Sequence, residues 1–144
     1  MASTSLRSSV VFILFTFNTA LAQHDHDIAA LKKLEVKPLF QQAFTDSIFN
    51  GNAVRVAFLT VPAGAIDTVR HAHDCHLIGY VLEGRVVTKL KNKGPQYLNS
   101  GDIFYESPNE VHESLQNLNS NKDAKILLYY LFKDGAVLYK KLQD

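Results

Sequence analysis

Six histidines and one cysteine stand in this chain of 144 residues, and four of those seven fall within His71-Ala72-His73-Asp74-Cys75-His76. Imidazole nitrogen and thiolate sulfur are donors for divalent transition metals. On an extended strand, side chains at i and i+2 leave the same face about 6.6 Å apart at the backbone, so His71 and His73 are placed to turn onto one ion. The pair alone does not specify a site, because the same spacing arises on solvated strands. Cys75 continues the i, i+2 series, and a thiolate there would favour zinc or copper. A turn after His73 would break the series, and the favoured reading of Cys75 is a small shielded thiol. The second stretch rich in chemistry runs from Gly101 to His112 and carries Glu106. His24 and His26, in Gln23-His24-Asp25-His26-Asp27, are read as part of a polar tail.

The elements that must position these groups read as strands. Apolar residues alternate, and Gly, Pro, Asn and Asp clusters break the alternation every eight to twelve residues or so, which is the pattern of an all-β sandwich or barrel. Strands are expected around Val54 to Leu59, from Thr68 through the histidines, and over Gly79 to Leu82, with a hairpin at Glu83-Gly84-Arg85 into Val86 to Leu90. Others are expected at Tyr97 to Asn99, Ile103 to Tyr105, Val111 to Leu118 and Lys125 to Phe132. The run Ile126 to Phe132 is apolar at both alternations, as in a central strand covered on both faces. Phe58, Tyr80, Phe104 and Tyr105 read as barrel wall. One short helix is expected around Asp27 to Leu34.

Three segments follow from composition. Residues 1–22 carry Arg7, the apolar run Val10 to Phe17 and Ala20-Leu21-Ala22 before Gln23, the layout of a secretory signal peptide. The apolar run is short of the roughly 20 residues a membrane span needs. Residues 23–50 form an N-terminal extension with the first strand or strands, and residues 51–144 the barrel. Without residues 1–22 the chain holds fourteen acidic side chains and fourteen basic ones, the fifteen of the whole sequence less Arg7. No basic block stands out, which speaks against nucleic-acid and anionic-membrane partners. With Cys75 alone, an exported domain has no internal disulfide and depends on its hydrophobic core. Export places the protein in the periplasm or the medium.

The joint pattern of the two stretches resembles the cupin superfamily. Its first motif, G-x5-H-x-H-x3,4-E-x6-G, is similar to this chain at His71, His73 and Gly84, and its second, G-x5-P-x-G-x2-H-x3-N, at Gly101-Asp102, Pro108 and His112. Sixteen residues, Arg85 to Ser100, lie between them, and the likeness extends from about Val54 to Phe132. The resemblance implies a double-stranded β-helix, or jelly-roll barrel, enclosing a ligand cavity, with one divalent metal (Fe, Mn, Zn, Cu or Ni, not distinguished) on His71, His73 and His112. Two departures stand out. Leu77 occupies the position of the family's glutamate ligand, and Asn109 replaces a glycine, a mild change because Asn tolerates left-handed backbone. His76 and Glu106 are the candidates to replace the missing carboxylate or to handle protons.

Three neutral imidazoles leave the charge of a divalent ion uncompensated, so a small organic anion is the expected ligand. Three functions stand side by side: a dioxygenase-like oxidoreductase, a non-catalytic module that binds a small molecule or metal, and a metal-free structural barrel. The first is preferred. A homodimer is expected, because small cupins often pair through barrel edges.

Overall fold

Buried and outward positions alternate along the strands that form the core of the computed structural model, which describes residues 32–143. The strands are β1 (Glu35–Ala43), β2 (Asn52–Val61), β3 (Ile66–Asp67), β4 (His71–Ala72), β5 (His76–Glu83), β6 (Arg85–Leu90), β7 (Gln96–Asn99), β8 (Ile103–Glu106), β9 (Val111–Asn117), β10 (Ala124–Lys133) and β11 (Lys140–Lys141). Among the described residues there is no helix. All pairings are antiparallel and form two sheets. One has the order β1-β2-β10-β5-β8; the other runs β11-β4-β9-β6-β7, with β3 also on β9. The inner faces meet over Val61, Val81, Val86 and Ile126, all fully buried. This is the all-β jelly roll expected from the alternation.

Two elements differ from the sequence reading. Gly84 does not make a hairpin: β5 and β6 belong to different sheets, so the chain turns a corner there from one layer to the other. Gly84 adopts φ +90°, and a Cβ on it would lie 2.8 Å from the Ala124 Cβ, so the corner needs both the left-handed backbone and the missing side chain. A hairpin and a corner share the same local signal, and only pairing partners distinguish them. The second difference concerns β10. It is central, between β2 and β5, but only Ala124, Ile126, Leu128, Tyr130 and Phe132 face the core. Tyr129 and Leu131 on the other face are exposed within this chain.

The helix expected around Asp27 to Leu34 falls mainly outside the described residues, and its described part, residues 32–34, is irregular chain leading into β1. The signal peptide over residues 1–22 and the pair His24 and His26 lie outside the described residues.

Asn117, at the end of β9, ties the two layers together. Its buried Nδ2 donates to the carbonyls of Val61 (3.0 Å), Pro62 (3.3 Å) and Lys122 (2.8 Å), while Oδ1 accepts from the Asn119 amide. A buried amide that satisfies three carbonyls fixes the loop positions at that end of the barrel.

Candidate metal centre

His71 on β4 and His112 on β9 are direct cross-strand partners, so the register of that pair alone brings their rings to 4.6 Å between centroids. His73 lies just beyond the end of β4, with its ring 5.0 Å from that of His71. All three are buried. The strand spacing that made His71 and His73 candidates therefore gathers them, and the second stretch supplies His112.

Backbone carbonyls set the tautomers of two rings. His71 Nδ1 donates to the Val69 carbonyl at 2.8 Å and His73 Nδ1 to the Leu138 carbonyl at 2.5 Å. With the proton on Nδ1, each ring keeps its Nε2 lone pair for a ligand, the arrangement by which metal-binding histidines are oriented. The His73 main chain is held as well, since its carbonyl accepts the Asn109 amide at 2.7 Å. Asn109 takes φ 62°, the left-handed conformation for which the family motif uses glycine.

His112 is bound differently. Its Nε2 shares a 2.9 Å hydrogen bond with the Thr88 hydroxyl, and its Nδ1 is buried with no partner. Burial, reinforced by His71 and His73, pushes its pKa down to about 3, and burial likewise lowers that of His73. Both rings are therefore neutral and available as donors at physiological pH.

Glu106, on β8 of the opposite sheet, completes the cluster. It is buried, and burial first, then the nearby Glu110 carboxylate, push its pKa up to about 7, with Lys93 opposing. Its Oε2 stands 3.7 Å from His73 Nε2 and has no hydrogen-bond partner. Among the described residues no set of three or more His, Cys, Asp or Glu side chains is drawn into a coordinating arrangement as it stands. Binding an ion here requires side-chain rotation. His112 is the ring placed to make it, because a hydroxyl partner that both donates and accepts is easily exchanged, whereas the other two rings are pinned by carbonyls.

These groups line a cavity of about 620 Å³ between the sheets. Its apolar wall includes Leu77, Phe104, Leu115 and Leu128, and its lining also holds the exposed Lys32 and Lys33. The volume suits a small ligand. Orphaned polar atoms inside an apolar wall are costly, of the order of 1–3 kcal/mol each, unless something binds them. His112 Nδ1 and Glu106 Oε2 are two such atoms in one pocket, so the donor set fits a divalent ion.

The remaining candidates separate cleanly. His76 is exposed on the outer face, where its Nδ1 bonds the Tyr105 hydroxyl at 2.6 Å and its ring stacks on that of Tyr105. It does not line the cavity. Cys75 is a buried core thiol, its pKa raised to about 11 mainly by burial, and it too lies outside the cavity lining. Thr88 escaped notice in the sequence, although its alternation with Val86 and Leu90 marks it as inward-facing. Tyr139, whose ring stacks on His71 at 4.7 Å, carries no sequence signal, because the tail it belongs to has no periodicity.

Comparison with known proteins agrees with this architecture. The profile of the Cupin domain family matches residues 57–130. A cupin-like protein of Thermotoga maritima superposes with a TM-score of 0.57 at 22% identity, covering 77% of each chain. An RmlC-like cupin of Methanocaldococcus jannaschii with a double-stranded β-helix fold gives 0.52 at 16% identity, over 85% of this chain and 92% of its own. The DMSP lyase DddQ of Ruegeria pomeroyi gives 0.57 at 14% identity, over 88% of this chain and 58% of its own. Likeness at these identities speaks for the fold alone. No curated protein matches the sequence. The matched profile spans more than half of the sequence, including β5 to β9 and both histidine stretches, and the chain belongs to the cupin superfamily.

Proposed function

We propose that this protein is a divalent-metal cupin that binds a small organic anion between its sheets and acts on it as a dioxygenase-like oxidoreductase. The observation that carries the metal reading is the convergence of three buried histidines from β4, the residue that follows it and β9, two with Nε2 freed by backbone carbonyls and the third with an orphaned Nδ1. A divalent ion bound there would supply Lewis acidity and, if it were iron, open positions for substrate and dioxygen.

The chain's own residues do the rest. His71, His73 and His112 are neutral donors that leave the ion's charge for an anionic ligand. Lys32 and Lys33 add positive charge to the cavity lining, although Lys32 Nζ also donates to the Ala63 carbonyl at 2.7 Å. The wall of Leu77, Phe104, Leu115 and Leu128 excludes water from the reacting centre and favours a ligand with an apolar body. Glu106, kept protonated near neutral pH by burial, lines the same cavity and gives up that proton when a cation binds beside it.

The test is metal analysis of protein purified from its native host beside a His71→Ala/His112→Ala variant, followed by oxygen uptake of the iron-loaded protein with phenolic, thiol and keto-acid substrates. About one equivalent of metal in the parent, with at least a ~10-fold loss in the variant, is expected. Equal metal content in both would overturn the site. Tight binding of an anion without oxygen uptake would reassign the protein as a binding module.

A further inference from the structure

We infer that Glu106 is the fourth metal ligand, a carboxylate moved from the strand that carries Leu77 to the strand beside it. The inference rests on the metal reading above and adds a residue from the opposite sheet. Leu77 and Glu106 are direct cross-strand partners in the β5–β8 ladder, so their side chains leave the same face of the sheet side by side. Both line the cavity, and both are buried. A carboxylate at either position therefore projects into the same part of the pocket.

The contact with His73 gives the second argument. Because the His73 proton resides on Nδ1, its Nε2 presents a lone pair, and Glu106 Oε2 faces it at 3.7 Å. That distance is too long for a hydrogen bond. A lone pair on Nε2 facing a buried carboxyl oxygen that has no partner is a place that a cation fills once the carboxyl gives up its proton. Two atoms each about 2.0–2.2 Å from a common zinc-sized ion stand at most about 4.4 Å apart, and 3.7 Å lies within that limit. His76, the other candidate for the place, points out of the barrel to Tyr105.

A carboxylate ligand changes what the centre can hold. It cancels one unit of the ion's charge, adds a hard oxygen to three imidazoles, and shifts preference towards iron and manganese relative to an all-nitrogen site. The anionic ligand then completes neutralisation instead of providing all of it.

The experiment is a charge relocation read by cobalt(II) binding, with affinity from calorimetry and coordination from the visible absorption spectrum. Four proteins are compared: the parent, Glu106→Leu, Leu77→Glu/Glu106→Leu, and His71→Ala/His112→Ala. Glu106→Leu should bind cobalt about 10–100-fold more weakly and with an altered spectrum. The relocated double variant should return to within about 3-fold of the parent, because its carboxylate enters the same part of the pocket. Thermal melts of the metal-free proteins serve as the folding control, and Glu106→Leu should melt no lower than the parent, since it replaces a buried carboxyl by an apolar side chain. If Glu106→Leu matches the parent in affinity and spectrum, or if it weakens binding and the relocated carboxylate fails to restore it, the inference is overturned while the histidine site stands. A parent that binds cobalt no better than His71→Ala/His112→Ala would remove the metal reading itself.

Discussion

Packing against a glycine sets one wall of the site. Gly79 on β5 faces Phe104 on β8 across the ladder, and a Cβ on Gly79 would sit 2.1 Å from Cε1 and Cζ of the Phe104 ring. The ring thus lies directly on the glycine backbone, and the same ring lines the cavity. Gly79→Ala must displace it, so a loss of about 1–3 kcal/mol in urea unfolding is expected, the usual range for overpacking a core. In the Gly79→Ala/Phe104→Leu double variant part of that loss should return, giving a measurable coupling energy between the two sites. Additive effects would mean that the ring is free to move aside, and that Gly79 serves only the backbone.

At the scale of elements, the C-terminal segment acts as a strap on the histidine strand. Lys140 and Lys141 form β11 against Ala72 and His71. The Val137 carbonyl accepts the Asp74 amide at 3.0 Å, and the Leu142 amide donates to the Arg70 carbonyl at 2.9 Å. Leu138 holds the His73 ring through its carbonyl, and Tyr139 stacks on His71. None of the strands of the first sheet depends on this segment for pairing. A chain ended at Gly135 should keep its β-sheet circular dichroism and lose about 10–100-fold in zinc or cobalt affinity, the usual cost of removing groups that orient metal ligands. Retention of full affinity would show that β4 and β9 position the rings unaided.

For the molecule as a whole, the buried groups of the candidate site make the stability of the metal-free chain depend on pH. Glu106 keeps its proton in the folded chain up to about 7, against an ordinary value of 4.5. The favourable contribution of that protonated carboxyl is fully present below about 4.5 and disappears as pH rises through 7, a change of about 3 kcal/mol. His112 acts in the opposite sense. Its folded value of about 3 means that stability is lost as pH falls below its ordinary 6.5. Glu106→Gln removes only the first effect. In chelator, the unfolding free energy of Glu106→Gln relative to the parent should therefore rise between about pH 5 and about pH 8 by up to about 3 kcal/mol, measured by urea titration. A difference that stays constant would show that the carboxyl ionises as it does in water.

Much of this protein was legible before folding was considered. Period-2 alternation and regular turn signals specify strands and a barrel, because one face of every strand must be buried. Local spacing also nominates His71 and His73, since i and i+2 share a face on any strand. What the linear chain does not contain is pairing. Whether Gly84 closes a hairpin or turns a corner depends on which strands lie beside β5 and β6. The meeting of His71 with His112, and of Leu77 with Glu106, is a property of register between strands distant in sequence. The same holds for the outward turn of His76 and the strap from Leu138 to Leu142, whose hydrogen bonds reach across 65 residues. Sequence by itself determined the fold class and the candidate donors. Tertiary structure decided which donors share a pocket, because long-range backbone pairing and burial act between positions that no local pattern connects.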